Sequence, residues 1–148
     1  MDFFVSMPEV IDIIGKGETK SSVKLKTGMD ADVRVLREES FGAALQYFTG
    51  SKDHNIVLRR IAQERGLKLS EYGLFDGNRQ ISGKMEEEVY EKLGLQWIPP
   101  ELRENTGEIE AAAKKKLPKL ISYEDLKGDL QANSTWTDGS NSIKARAR

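Results

Sequence analysis

Between Ala43 and Ser51 the chain reads Ala-Ala-Leu-Gln-Tyr-Phe-Thr-Gly-Ser. A helix-like apolar run ends in two adjacent aromatics and then meets a glycine. Glycine reaches dihedrals and close backbone approaches denied to other residues, so the helix must stop near Thr49-Gly50. A basic helix carrying Asn55 and Arg59 follows. Two helices hinged at an aromatic-flanked glycine suit a site that stacks a flat ring, clears a backbone path and reads polar edges nearby.

Local patterns on either side predict an α+β chain. Residues 2–14 open with a short helix broken near Pro8, and Lys16–Lys20 reads as a polar turn. Ser21–Lys26 and Ala31–Leu36 alternate apolar and polar residues around Thr27-Gly28, a hairpin pattern. Helices are expected over 39–48 and 53–65, the second with Ile56, Leu58 and Ile61 inward, Asp53 as N-cap and Gly66 as stop. Short strands are expected at Leu67–Leu69, Tyr72–Phe75 and Arg79–Ile81, the last two joined by Asp76-Gly77-Asn78. Ser82 is a candidate cap for a helix running to Leu93, with Glu86–Glu88 at its positive end. Pro99-Pro100 closes that unit, and the charged stretch 101–120 reads as an extended linker with one helical segment near Ile109–Lys116.

Composition narrows the function classes. With 148 residues the chain holds one domain or two small ones. No cysteine is present, which removes disulfide frameworks and thiolate metal sites. A net charge of −1 and a pI near 6.0 lack the basic signature of a wholly nucleic-acid-binding surface. Any phosphate contact must therefore come from a local cluster of Lys and Arg. No 18-residue apolar run occurs, so a cytoplasmic protein without membrane association is expected.

Several residues admit two readings. Asp32 sits mid-strand, where it either decorates a solvent face beside Asp30 or joins a carboxylate cluster for Mg²⁺. Tyr47 and Phe48 are either core aromatics or a stacking platform. Lys16 and Lys20 flank either an ordinary charged turn or a phosphate contact. His54, the single histidine, makes neither a triad nor a zinc site, and it reads as a surface residue without a role.

Lys16-Gly-Glu-Thr-Lys20, Asp32-Val-Arg34 and Tyr47-Phe-Thr-Gly-Ser51 occur in that order, and in this the chain resembles the X family of DNA polymerases, the DNA polymerase beta relatives. The resemblance implies the end of a nucleotidyltransferase palm made of antiparallel strands (1–38) and a small α/β thumb (39–100). A linker (101–120) and the truncated start of a polymerase-and-histidinol-phosphatase domain (121–148) would follow, largely as an extended tail. It also implies Mg²⁺ or Mn²⁺ as cofactor, with Asp32 as the third catalytic carboxylate and a metal ligand. Two such metals about 3.5–4 Å apart would activate a primer hydroxyl and stabilise the leaving pyrophosphate. Tyr47, Phe48, Thr49, Gly50 and Asn55 would contact a deoxynucleoside triphosphate. Lys16, Gly17, Thr19, Lys20, Arg59 and Tyr72 would contact primer–template or gapped DNA. A monomer acting in DNA repair synthesis is implied.

The family's other two carboxylates form an Asp-x-Asp pair that has no counterpart before Met1-Asp2. The chain is therefore expected to be a piece of a larger polymerase, inactive alone. The stretch Gly128–Gly139 resembles the opening of the phosphatase-type domain, but Gln131 and Asn133 stand where histidine ligands are usual and only Asp138 persists. Nuclease activity is not expected from it. The competing reading is a non-catalytic thumb-like DNA-binding or interaction module. A weaker one is a template-independent nucleotidyltransferase.

Overall fold

The computed structural model describes residues 1–128 and 133–146. Residues 1–117 form one compact unit and 118–148 a second.

The first unit opens with a one-turn helix, α1 (Asp2–Val5), and a three-stranded antiparallel sheet of β1 (Val10–Lys16), β2 (Lys20–Leu25) and β3 (Asp30–Arg34), in that order. The alternation in β2 and β3 sorts their side chains: Ser21 and Val23 are buried, while Lys20, Lys24, Asp30 and Asp32 are exposed. Register pairs Ser22 with Asp32 and Lys20 with Arg34. The opening is a short helix that ends before Pro8, and β1 adds a strand that was not among those expected. Its β-branched Val10, Ile11, Ile13 and Ile14 favour strand, and the expected polar turn is the β1–β2 connection, closed by Gly17 N–H donating to the Lys20 carbonyl at 2.8 Å.

After this sheet come α2 (Phe41–Thr49), α3 (Lys52–Glu64), a second antiparallel sheet of β4 (Lys68–Ser70), β5 (Gly73–Asp76) and β6 (Arg79–Ser82), and α4 (Glu86–Lys92). The core joins Ala43 of α2, Leu58 and Ala62 of α3, Leu69 and Leu74 of the second sheet, and Val89, Tyr90 and Leu93 of α4. α2 lies against the start of α4 because residue 42 is glycine. A Cβ there would come within 2.3 Å of the Met85 carbonyl carbon. The amides of Gly42 and Ala43 use that proximity to donate to the carbonyls of Lys84 (3.0 Å) and Gly83 (2.8 Å). α3 ends as Gly66 predicts: with φ at 71°, its N–H reaches the Gln63 carbonyl and that of Leu67 the Ala62 carbonyl, which satisfies two terminal acceptors.

Several expectations need correcting. The α3 cap is Ser51, whose hydroxyl accepts from His54 N–H, not Asp53. Its inward face is His54, Asn55, Leu58 and Ala62, a four-residue stripe that leaves Ile56 exposed. His54 is fully buried rather than a surface residue. Ser82 lies in β6, and α4 begins four residues later with Met85 at its cap position and no side-chain cap. Residues 101–117 are not an extended linker: α5 (Glu108–Ala113) buries Ile109 and Ala112 in the same core, and Arg103 is 1 % exposed. Two of the charges that suggested solvation, Arg103 and Glu108, are buried and paired. Arg103 donates to both carboxylate oxygens of Glu86 at 2.8 and 3.0 Å and to the Ile98 carbonyl, with Tyr90 and Trp97 against its guanidinium.

In the second unit a single turn at Tyr123–Asp125 is held by Ser122, whose N–H and hydroxyl both donate to Asp125. A one-turn helix, α6 (Ile143–Arg146), follows. Asn133 and Asp138 are exposed, and Gln131 lies outside the described residues. No helix among the described residues is long and apolar enough to cross a membrane.

Candidate nucleic-acid and nucleotide interface

The glycine hinge builds one surface. Gly50 sits at φ 78° between α2 and α3, and the peptide bond to Ser51 is cis. Tyr47 and Phe48, at the end of α2, meet edge to face with ring centroids 5.1 Å apart. Across the hinge, the first two turns of α3 bring Lys52, Asn55 and Arg59 alongside. Tyr47, Phe48, Gly50, Lys52, Asn55 and Arg59 together line a depression of about 280 Å³. Phe48 is 53 % exposed, so its ring is not spent in the core, although the Arg34 guanidinium lies over it.

Asn55 is held from within the protein. Its Nδ2 donates to the Tyr47 carbonyl at 2.7 Å and its Oδ1 accepts from Gln46 Nε2 at 2.5 Å. One amide hydrogen remains. Thr49 is exposed at the α2 terminus but does not line the depression.

Other sequence-selected residues lie elsewhere. Tyr72 precedes β5 and lines a separate depression with Lys68, Ser70, Phe75, Gly77 and Asn78. Its backbone carbonyl accepts from Ser40 Oγ at 2.8 Å. Lys16, Gly17, Thr19 and Lys20 are all exposed at the β1–β2 tip, where Lys16 pairs with Asp2. Lys20 lies on the strand next to Asp32, with Nζ 3.7 Å from its carboxylate. A hydrogen bond from Ser22, aided by Lys20, holds the Asp32 carboxyl below the usual carboxylate range. The acid is therefore ionised at neutral pH.

Asp32 offers one carboxylate ligand. Among the described residues no group of three or more His, Asp or Glu side chains could hold a metal ion. These residues do not by themselves make a metal site, so no chemical step is routed through one.

Sequence reasoning passed over Gln46, Lys52, Arg103 and Glu108. Lys52 could have been found from its place one residue after Ser51 on the same helix turn. The others act through partners distant in sequence.

The region of the hinge is recognisable. The pattern described as DNA polymerase beta thumb matches residues 44–104. The DNA polymerase/3'-5' exonuclease PolX of Bacillus subtilis is 41 % identical over 147 residues, which is 97 % of this chain and 25 % of that protein. Residues 44–104 form an X-family DNA polymerase thumb. Human DNA-directed DNA/RNA polymerase mu is 39 % identical over 75 residues, 49 % of this chain and 15 % of the human protein. The fold agrees with Leishmania infantum polymerase beta, solved as a ternary gap complex, at TM-score 0.60 and 23 % identity over 70 % of this chain and 47 % of that one. The chain thus spans a quarter of the length of its Bacillus subtilis relative.

Proposed function

We propose that this chain supplies the thumb and the adjoining palm edge with which a DNA-directed DNA polymerase holds primer–template or gapped DNA and the incoming deoxynucleoside triphosphate. The observation that carries the reading is the shared depression of Tyr47, Phe48, Gly50, Lys52, Asn55 and Arg59. It combines an exposed ring, a glycine with open backbone, a fixed amide and two cations. A base can stack on an aromatic face at about 1–3 kcal/mol. An amide N–H can donate to minor-groove acceptors that all base pairs share, which favours sequence-independent recognition. The β1–β2 tip, with Lys16, Gly17, Thr19 and Lys20, would contact the DNA backbone and position the duplex.

In this reading Asp32 contributes one carboxylate to a Mg²⁺ or Mn²⁺ site of nucleotidyl transfer. The chain works as a monomer in cytoplasmic repair synthesis, and 1–148 alone does not incorporate nucleotide. Relatives named as polymerases, of which this chain matches part, support the class. The test is a titration of 1–148 with recessed primer–template DNA at low salt, followed by backbone amide shifts with and without Mg²⁺ and deoxynucleotide. Shifts centred on Lys16–Lys20, Tyr47–Gly50, Asn55 and Arg59 are expected. Shifts confined to other surfaces would reject the interface.

A further inference from the structure

The thumb pattern ends at residue 104, but the packing continues past it. Ile109 and Ala112 of α5 lie in the same core as α3 and α4, and the Gln96 N–H donates to the Ala112 carbonyl at 3.2 Å. Between Arg103 and α5 the chain turns through Asn105 and Gly107, both at positive φ (55° and 112°). The Glu108 carboxylate closes that turn, accepting the N–H of Asn105 at 2.8 Å and of Thr106 at 2.7 Å.

This segment is fastened to the start of α3 at two points. The Arg103 carbonyl accepts the Ser51 N–H at 3.0 Å, and Glu108 Oε1 lies 2.7 Å from His54 Nδ1. His54 is fully buried and Glu108 is 6 % exposed. Burial alone would raise the pKa of this carboxyl, but the bonds from His54 and from the amides of the turn lower it instead. An ionised carboxylate only accepts, so His54 Nδ1 donates to it. On the ring's other edge Nε2 lies 2.9 Å from the Tyr90 hydroxyl, and Arg103 is itself held by Glu86.

The start of α3 has reason to be held from outside. The first N–H groups of a helix lack partners within it, and helix ends fray. Here that turn follows Gly50, and glycine is the least restricted residue. The helix's own cap is long, with the Ser51 hydroxyl accepting from His54 N–H at 3.4 Å. Gly50 and Lys52, on either side of Ser51, line the depression. The two bonds therefore land on the turn that forms one wall of that surface. A buried carboxylate is costly unless it is paired, and what it gives in return is a directed contact that an apolar side chain cannot make.

We propose that residues 103–113 are a strap that positions the α2–α3 hinge, with Glu108 as its anchor on His54, and that the strap and a DNA ligand in the hinge depression stabilise one another. The positioning stands on the contacts alone. The mutual stabilisation rests on the proposed reading of the depression as a DNA and nucleotide surface. A hinge already held by the strap loses less conformational freedom on binding, and by linkage the ligand holds the strap in return.

The test is amide hydrogen exchange on 1–148, read at Ser51, His54 and Asn55 of the hinge and at Leu58 and Val89 of the core. Glu108→Gln keeps the side chain's size and removes its charge. It is expected to speed exchange at the hinge about tenfold relative to the core, the scale of one lost buried hydrogen bond. Leu74→Ala, a core change in β5, should not speed the hinge more than the core. Should Glu108→Gln not fold, the wild type in low urea answers instead: hinge amides should open together with those of Ala111 and Lys114 in the strap. Hinge amides that stay protected while the strap exchanges, or that Glu108→Gln speeds no more than the core, overturn the proposal. With recessed primer–template DNA at low salt, exchange at Ser51 and Thr106 should slow in the wild type, and Glu108→Gln should bind about fivefold more weakly. Equal affinity of the two proteins overturns the mutual stabilisation. Wild-type protein that binds no DNA overturns the reading of the depression instead, while the exchange rates still decide the strap.

Discussion

Arg34 of β3 reaches across to the thumb and donates to Glu71 Oε1 at 3.3 Å. The same guanidinium lies 5.3 Å from the ring centroid of Phe48. One side chain therefore links the strand that carries Asp32, the turn before Tyr72 and the aromatic that borders the depression. Both members of the ion pair are partly shielded, with side chains 30 % and 20 % exposed.

Exposed ion pairs contribute about 0–1 kcal/mol, and a cation over an aromatic about 0.5–1 kcal/mol. A double-mutant cycle on Arg34→Ala and Glu71→Ala, read by urea unfolding, is expected to give a coupling of about 0.5–1 kcal/mol. It should shrink in 1 M salt. The cycle of Arg34→Ala with Phe48→Leu should persist in salt better than the ion pair does. Equal loss of both couplings in salt would contradict the assignment.

Gly42 tests the contact that sets α2 against α4. In an isolated helix alanine is favoured over glycine by about 1 kcal/mol. Here the added Cβ would meet Met85 backbone at 2.3–2.4 Å, and backbone cannot step aside as a side-chain tip can. Gly42→Ala is therefore expected to destabilise the thumb by about 1–3 kcal/mol, the range for overpacking, with a matching fall in Tm. A rise in Tm would mean that the two helices separate more readily than this packing allows.

What the sequence disclosed, and what it hid, divides by distance along the chain. The β2–β3 hairpin, the three short thumb strands, α3 and its Gly66 stop depend on neighbours within a few residues, and their alternation or capping pattern was visible. β1 was not, because its pairing with β2 shifts register between Val10 and Asp12 and again between Ile13 and Gly15, which breaks simple alternation. His54 and Glu108 lie 54 positions apart, and Arg103 and Glu86 lie 17 apart. Read locally, each looks like a solvated charge or a surface histidine. Their burial comes from partners that no periodicity announces, and the misread linker has the same cause. That Tyr47, Phe48, Gly50 and Asn55 share one depression follows from the short hinge between two helices, whereas the buried contacts of His54 and Gln46 left no local pattern.

The buried pair also fixes how stability responds to acid. Burial pushes the His54 pKa below its ordinary value, so the unfolded chain takes up a proton before the folded one does. Stability is expected to fall as pH drops below about 6.5, the ordinary histidine range. The Glu108 pKa is also lowered in the fold. Its contribution is present above the ordinary glutamate range and is lost as pH falls further, through the folded value. Urea midpoints followed from pH 8 down to about 2.5 should therefore decline in two stages. His54→Phe should remove the upper stage and Glu108→Gln should blunt the lower one. An upper stage that survives in His54→Phe would assign it to another group.

Lys20 allows the DNA-facing reading to be tested without the chemistry. Its ammonium is half exposed and stands beside the ionised Asp32, so in the free chain part of its charge is already screened. Phosphate contact releases condensed counterions, and each neutralised phosphate adds about 0.9 to the slope of log K against log salt on duplex DNA. Lys20→Ala should lower that slope by up to about 0.9 and weaken binding alike for all sequences. Asp32→Asn removes the competing carboxylate, so low-salt affinity should stay the same or rise while the slope is kept. A Lys20→Ala protein with unchanged slope would place the duplex away from the β1–β2 tip. Lys52 and Arg59 of the depression would then be the next cations to remove, and a lower slope on their removal would place the duplex there.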